Sequence, residues 1–271
     1  MSERTEYAAG TPSWVDQASP DPGASAGFYS DLFGWETEDV MPEGSDGEYH
    51  MATLRGKRVA ALGSNPMAGA PAGWNTYFTV DDADAAAAGA ANAGGKVLME
   101  SFDVMDAGRM AVLADPAGAV FMLWQPKETI GAEVVNEDGA WSWSELVTDD
   151  VEGSKRFYGE LLGWQTTTME FAGGEYTIWH RPGAEPKQAP PDQGGTSFGG
   201  MLPSSNWPDA TPNFWLAYFA VADVDATAAR AGELGGSVAA PAFDAPGVGR
   251  IAVLGDPQGA IFAVITPEPA G

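Results

Sequence analysis

The sequence predicts an α+β protein made of four βαβββ modules, two in each half of the chain. The first observation is an internal repeat, in which "GFYSDLFGW" (27–35) matches "RFYGELLGW" (156–164). The second is the order of segments in each half, where a strand, a helix and three strands are followed by the same series. The third is the length of 271 residues, which is enough for two domains with separate cores.

Two further motif pairs extend the repeat. "YFTVDDADAAAAGA" (77–90) matches "YFAVADVDATAARA" (218–231), and "GRMAVLADPAGAVF" (108–121) matches "GRIAVLGDPQGAIF" (249–262). A "GEY" motif also occurs in both halves, at 47–49 and 174–176. Its distance to the following "YF" (77–78 and 218–219) is larger in the second half, which indicates an insertion there. We place this insertion at residues 184–212, where many Pro, Gly and Ser residues predict no regular element.

Periodicity and turn residues place the elements of the first half. The strand "SWVDQAS" ends at "PDPG", and a helix follows whose Phe28, Leu32 and Phe33 form an apolar stripe that ends at Gly34. A second helix is predicted at 82–93 and stops at "NAGG" (92–95). The other predicted strands are at 36–40, 48–55, 58–63, 76–82, 97–104, 109–113 and 119–124. We therefore predict a first domain at 10–126, a linker at 127–140 and a second domain at 141–268.

Composition excludes several classes of function. The chain has 13 Lys and Arg residues against 38 Asp and Glu residues, a net charge of −25, which argues against nucleic acid and anionic membranes as partners. No apolar run reaches the roughly 20 residues of a membrane span, and the N-terminus lacks the apolar core of a signal peptide, so we expect a cytoplasmic protein. There is no cysteine for disulfides, thiolate metal sites or thiol nucleophiles. With only His50 and His180, a histidine-rich metal site is excluded as well.

Three repeated motifs resemble those of the vicinal oxygen chelate superfamily, which includes glyoxalases, bleomycin-resistance proteins and extradiol dioxygenases. They are "FYxxLFGW" after a strand, "VxDxDAAxA" between a strand and a helix, and "DPxGAxF" before a last strand. The resemblance covers about 12–125 and 141–267. With "SW" opening both halves, the chain is similar to a two-domain actinobacterial subgroup labelled glyoxalase-like or hydroxylase. The resemblance implies that the two modules of a domain form a half-closed, curved mixed sheet around a cavity.

The resemblance also implies three metal-ligand positions in each domain. In this sequence they fall on Trp14, Asn75, Met122, Trp143, Leu216 and Ala263. None of these is an ordinary ligand for a divalent ion except, weakly, the Asn75 amide. We therefore expect no metal site and no other cofactor.

The nearest carboxylates are Asp16 and Glu145, each two residues beyond a tryptophan and so on the same strand face as Trp14 or Trp143. These tryptophans either fill an empty cavity or stack on a flat ligand. The full set of predicted ligand-binding residues is Trp14, Asp16, Trp74, Tyr77, Met122, Trp143, Glu145, Trp179, His180, Trp207, Trp215 and Tyr218.

Residues present in only one half are freer to serve a ligand than residues that both halves share. Trp179, His180 and Trp207 are unmatched in the first half, and Glu145 is longer than its counterpart Asp16. Glu145 and His180 are the candidates for acid–base catalysis, although a surface histidine at a strand end is the simpler interpretation of His180. We therefore expect the second half to hold the working cavity.

The leading hypothesis is a metal-independent protein that binds an apolar small molecule, with an aromatic one favoured, in a sequestration or resistance role. The alternative is a hydroxylase-like or lyase-like enzyme that acts on an aromatic or polyketide-type metabolite by acid–base chemistry. A metal-dependent lyase or extradiol dioxygenase is the weakest hypothesis, because its ligands are missing. The sequence leaves open a monomer or a homodimer.

Overall fold

A computed structural model of the chain describes residues 3–66, 69–171, 174–184, 196–208 and 211–268. Within these ranges there are two eight-stranded mixed sheets and four α-helices, which confirms the predicted α+β class. None of the helices in the described part of the chain combines the length and the apolar character needed to span a bilayer.

Each half forms its own sheet. The elements of the first half are β1 (Pro12–Ser19), α1 (Pro22–Phe33), β2 (Glu36–Asp39), β3 (Tyr49–Leu54), β4 (Lys57–Ser64), β5 (Gly73–Thr79), α2 (Ala83–Asn92), β6 (Lys96–Val104), β7 (Gly108–Ala114) and β8 (Val120–Pro126). The sheet order is β2-β3-β4-β1-β5-β8-β7-β6. Strands β1 and β5 pair antiparallel, so the two modules that share a sheet come from the same half.

The second half repeats this plan. Its elements are β9 (Trp141–Thr148), α3 (Val151–Leu162), β10 (Gln165–Phe171), β11 (Gly174–His180), β12 (Ser197–Pro203), a 3-10 turn (Ser204–Asn206), β13 (Phe214–Ala220), α4 (Val224–Glu233), β14 (Ser237–Ala245), β15 (Gly249–Gly255) and β16 (Ile261–Pro267). The sheet order is β10-β11-β12-β9-β13-β16-β15-β14, which matches the first half strand for strand.

Strand β12 corrects the expectation that the segment 184–212 holds no regular element. It pairs antiparallel with β11 and parallel with β9, in the central part of the sheet. Pairing on both sides outweighs the weak strand propensity of its glycines, because strand propensity depends strongly on context. Residues 185–195 and 209–210 of the same segment lie outside the described residues.

Local signals start and stop the first helix of each half. The Asp21 carboxylate accepts a hydrogen bond from a backbone N–H of the first turn of α1, and Asp150 does the same for α3. Gly34 and Gly163 follow these helices with φ of 73° and 71°, a left-handed conformation that favours glycine. The repeated "FY…GW" segment is therefore a capped helix that ends at a glycine.

The two sheets pack against each other, and α1 and α3 each reach the sheet of the other half. The ring of Phe33 on α1 lies 5.0 Å from that of Phe219 on β13. The ring of Tyr158 on α3 lies 5.5 Å from that of Phe121 on β8. The shared motif thus builds one apolar interface between the halves.

Two matching hydrogen bonds cross this interface. The Tyr29 hydroxyl donates to Asp256 Oδ2 at 3.1 Å, and the Tyr158 hydroxyl donates to Asp115 Oδ2 at 3.2 Å. Both aspartates are buried and belong to the "DPxG" turns, where they also accept backbone N–H groups. Each helix tyrosine therefore satisfies a buried carboxylate of the opposite half.

We expect Tyr158→Phe to lower the free energy of unfolding by about 1–3 kcal/mol, because Asp115 stays buried and loses a donor. Urea unfolding followed by circular dichroism measures the change. Thr53→Val is the control, since it removes an exposed hydroxyl whose hydrogen bond is 3.4 Å long. Equal stability of the two variants would contradict a stabilising role for the interface bond.

Candidate functional site

The face of each sheet that is turned away from the other half, here called the outer face, carries a buried carboxylate. Asp16 lies on β1 and Glu145 lies on β9, with 6% and 3% of their surface exposed. Strand alternation places Trp14 and Trp143 on the same faces, as the sequence predicted. The two carboxylates therefore occupy equivalent positions in the two halves.

In the first half, three side chains donate hydrogen bonds to Asp16. The Tyr77 and Tyr49 hydroxyls donate to Oδ2 at 2.6 and 3.0 Å, and the Asn75 amide donates to Oδ1 at 2.8 Å. The Trp14 indole N–H donates to the Tyr49 hydroxyl at 3.2 Å. Burial raises the pKa of Asp16, and the three hydrogen bonds oppose this rise.

In the second half, Glu145 has a similar but smaller set of partners. The Tyr218 hydroxyl donates to Oε1 at 3.0 Å, and the Tyr176 hydroxyl also hydrogen bonds to this carboxylate. The Trp143 indole N–H donates to the Tyr176 hydroxyl at 3.0 Å. The aromatic framework of the first site is thus repeated around a longer acid.

The main difference between the sites is the residue across the strand pair. Asp16 lies opposite Asn75, whereas Glu145 lies opposite Leu216, which has no polar side-chain atom. Burial raises the pKa of Glu145 to about 7, and only the two tyrosine hydroxyls oppose the rise. Glu145 is therefore divided between its neutral and charged forms near neutral pH.

A cavity of about 70 Å³ lies beside Glu145. Its polar groups come from Glu145, Tyr176 and Tyr218, and Trp143 forms an aromatic wall. The other walls are apolar and come from Met169, Leu202, Phe243, Val248, Ile251 and Ile265. An enclosed apolar space with a few converging polar groups is typical of a small-molecule site.

Two glycines make room for the tyrosines that reach the carboxylates. A Cβ atom on Gly200 would lie 1.8 Å from the Tyr176 hydroxyl oxygen, and one on Gly63 would lie 2.7 Å from the Tyr49 ring. Neither tyrosine is among the site residues that the sequence predicts. The signal in the sequence is the "GEY" motif, which occurs in both halves at 47–49 and 174–176.

Trp74 and Trp215 lie on the face opposite to the one expected. Their indole N–H groups donate to the hydroxyls of Tyr29 and Tyr158 at 2.9 and 3.0 Å, in the interface between the halves. Tyr77 is three residues from Trp74, and residues an odd number apart point to opposite faces of a strand. These two tryptophans therefore support the interface and not the cavity.

Trp179 and His180 also lie away from the Glu145 cavity walls. Trp179 is fully buried against Tyr158 and Trp164 at the interface, with ring centroids 5.8 and 5.2 Å away. His180 is buried as well, so the interpretation as a surface histidine is wrong. Its ring nitrogens lie 2.9 Å from the Thr167 hydroxyl and 3.5 Å from the Thr196 hydroxyl.

Met122 and Trp207 remain near the outer faces. Met122 is buried and lies next to Tyr77 in the parallel pairing of β5 and β8. Trp207 is half-buried, packs edge-on against Phe214 at 5.2 Å and contacts the outer-face cluster that contains Trp143. The predicted role of Trp207 in ligand binding stays a prediction.

Comparison with known proteins identifies the family. The model of the Glyoxalase/Bleomycin resistance protein/Dioxygenase superfamily matches residues 11–123 and 142–264, once in each half. The chain belongs to this superfamily. Both matched segments contain one sheet and one buried outer-face carboxylate, so the duplication expected from the motifs is confirmed.

Two relatives align along almost the whole chain. A protein of Mycobacterium bovis named "Putative glyoxylase CFP32" is 45% identical over 274 residues, which cover 99% of each chain. The "Anthracycline biosynthesis protein DnrV" of Streptomyces peucetius is 40% identical over 275 residues, which cover 96% of this chain and 94% of that protein.

Solved structures of the superfamily share the fold at low sequence identity. The Mn(II)-bound glyoxalase from Novosphingobium aromaticivorans superposes with a TM-score of 0.63 at 16% identity, over 95% of this chain and 82% of that chain. The 2,3-dioxygenase LapB from Pseudomonas sp. KL28 gives 0.63 at 12% identity, over 96% and 94%. At these identities the likeness establishes the fold alone.

The residues on the outer faces do not fit the metal ion that such proteins can carry. Each face offers one carboxylate, and tyrosine hydroxyls already donate to its oxygens. A catalytic metal needs about three protein ligands. Across the described ranges, His, Asp and Glu residues form no group of three or more that could hold an ion.

We predict that the purified protein carries no stoichiometric zinc, iron, nickel or manganese, because the ligand positions hold Trp14, Met122, Trp143 and Ala263. Elemental analysis measures this directly. Treatment with EDTA should leave the melting temperature unchanged, since no metal binding is linked to folding. One tightly held metal per domain would refute the prediction.

We also predict that Glu145 makes stability depend on pH. Its folded-state pKa is about 7 against an ordinary value of 4.5, so the folded state loses stability as pH rises through this window. Between pH 5.5 and 8, wild type should lose about 2 kcal/mol more than Glu145→Gln. Urea unfolding at both pH values measures the difference. Glu175→Gln, which changes an exposed glutamate on β11, should follow wild type, whereas parallel behaviour of Glu145→Gln and wild type would contradict the prediction.

Proposed function

We propose that the second half binds an apolar, aromatic small molecule without a metal ion, in a sequestration or resistance role. The observation that carries the proposal is the cavity beside Glu145, which joins an aromatic wall to one buried ionisable group. The first half has an amide donor on its carboxylate where the second has Leu216, so its polar group is already better satisfied. An incoming donor therefore has more to gain at Glu145 than at Asp16.

The size of the cavity limits how a ligand would enter. Pockets for drug-sized ligands usually measure about 300–1,000 Å³, and this one encloses about 70 Å³. A single ring or ring edge beside Trp143 matches that space. The remainder of a larger ligand would pass Phe243, whose side chain is 43% exposed at the cavity wall.

The names of the relatives are compatible with this ligand class. DnrV is named an anthracycline biosynthesis protein, and anthracyclines contain fused aromatic rings. The alignment with DnrV runs through both halves of this chain. We therefore propose an aromatic, polyketide-type compound as the ligand class.

An acid–base enzyme is the second candidate function, and the pKa of about 7 for Glu145 favours it. A general acid or base works best when its pKa lies near the operating pH, and enzymes raise the pKa of a glutamate by burial. Burial raises the pKa values of Tyr176 and Tyr218 well above the ordinary value, so these hydroxyls would hold and orient the carboxylate. In this function Glu145 would take a proton from, or give one to, a ligand atom in the cavity.

Binding and catalysis are separated by following the ligand. A panel of fused-ring phenols is titrated into the protein by calorimetry, and each mixture is then analysed by mass spectrometry. Unchanged ligand favours the binding function. A product that forms with wild type and not with Glu145→Gln favours the enzyme, and a product that forms equally with both variants excludes Glu145 as its acid or base.

We predict that Trp143→Ala weakens an aromatic ligand of this panel by about 1–3 kcal/mol, because a stacked and largely buried contact is lost. Trp14→Ala is the matched control, since Trp14 has the same position and the same tyrosine partner in the first half. This control should lower stability and leave the affinity unchanged. If calorimetry shows the reverse pattern, the working cavity lies in the first half.

A further inference from the structure

A separate cavity of about 190 Å³ lies where the N-terminal segment, the linker and the second sheet meet. The residues that matter for its chemistry are Arg4, Glu6, Tyr7, Trp141, Arg181 and Phe198. Trp143 lines both this cavity and the Glu145 cavity, so it forms a wall that the two cavities share. We call this space the N-terminal pocket.

Two arginines line the N-terminal pocket without an acidic partner in the described part of the chain. The ion pairs among those residues use other arginines, such as Arg58 with Glu133 and Arg250 with Asp225. Neither Arg4 nor Arg181 has a described carboxylate within 4.0 Å. In a chain with 38 acidic and 13 basic residues, two such arginines at one pocket indicate a site for an anion.

Backbone and side-chain bonds hold the pocket in place. The backbone N–H of Arg4 donates to the Glu133 carbonyl at 2.9 Å, and the Tyr7 hydroxyl donates to the Ala132 carbonyl at 2.7 Å. On the other side, the backbone N–H of Arg181 donates to the Thr196 carbonyl at 2.9 Å. The backbone at both arginines is therefore held in place, which lowers the backbone part of the entropy cost of binding.

Aromatic rings form the apolar part of the pocket. Trp141 directs its indole N–H to the Trp143 carbonyl at 3.0 Å, so its polar atom is already paired. Phe198 is held edge-on against Trp164 at 4.8 Å. Trp141, Phe198 and Tyr7 would therefore offer a ligand the apolar surface of their rings.

We propose that the N-terminal pocket binds a small aromatic carboxylate. The guanidinium groups of Arg4 and Arg181 would receive the carboxylate, for which their planar donor geometry is suited. The ring of the ligand would lie against the aromatic walls. The site is distinct from the Glu145 cavity, where the ionisable group is an acid, and the proposal does not depend on the function proposed for that cavity.

Glu6 allows a test in which removing a charge is expected to strengthen binding. It is an exposed acid that lines the same pocket and opposes a bound anion. Removing its charge should strengthen binding, while removing either arginine charge should weaken it. A substitution that improves binding cannot be explained by loss of folding.

The test measures the affinity of 2-naphthoate by ligand-observed NMR titration, with 2-naphthamide as the uncharged probe. Arg4→Gln and Arg181→Gln should each weaken 2-naphthoate binding about tenfold. Glu6→Gln should strengthen it about two- to fivefold. The amide should bind more weakly than the acid and should not respond to these three changes.

Arg156→Gln is the matched control, because Arg156 is an exposed arginine on α3 that has no described ion pair and does not line the pocket. Because Arg4 and Arg181 line the N-terminal pocket and not the Glu145 cavity, a loss of 2-naphthoate affinity in their variants distinguishes the two sites. Equal affinities of wild type and both pocket arginine variants would overturn the proposal. Equal binding of the amide and the acid, or weaker binding by Glu6→Gln, would also overturn it.

Discussion

The structure depends on two reciprocal hydrogen bonds, in which a helix tyrosine of each half donates to an aspartate of the other half. Tyr29 and Tyr158 each satisfy a buried aspartate in a turn of the opposite sheet, and the surrounding rings pack into one core. Backbone N–H groups of the same half donate to Oδ1 of each aspartate, and the tyrosine of the other half donates to Oδ2. Because an unpaired buried carboxylate oxygen is costly, each turn depends on the other half. This constraint explains why the "FY" and "DPxG" motifs occur together in both halves.

The same arrangement leaves the outer faces free for a ligand. Because the interface uses every second residue of β1 and β9, the alternate residues carry Trp14 and Asp16 on one sheet and Trp143 and Glu145 on the other. Chemistry on the outer face can therefore change while the interface is kept. Of the positions that the resemblance implies for metal ligands, all but Asn75 hold aromatic or apolar residues. The carboxylate of each half lies two residues beyond the tryptophan on the same strand.

Much of the fold followed from the repeat, because matching motifs in the same order require the same elements. Strand alternation also predicted that Asp16 and Glu145 share a strand face with Trp14 and Trp143. Tyr49 and Tyr176 did not, because they reach their carboxylates only where Gly63 and Gly200 leave space on a neighbouring strand. Strand β12 was missed for a related reason: its glycines are poor strand formers in isolation and are held by partners on both sides. The sequence pattern within one segment does not show which contacts that segment makes with neighbouring strands.

The two buried carboxylates differ in how many hydrogen-bond donors they have, and this difference favours the second half as the functional one. Asp16 has an asparagine across the strand pair, and replacing that amide by Leu216 beside Glu145 removes a donor from a buried acid. If Glu145 stayed charged, the loss of this hydrogen-bond donor would cost about 1–3 kcal/mol. Glu145 limits the cost by becoming partly protonated near neutral pH, as its pKa of about 7 indicates. A buried carboxylate with too few donors gains more from a hydrogen-bond donor on a ligand than a carboxylate whose oxygens are all paired. Acids with shifted pKa values are concentrated at functional sites for this reason.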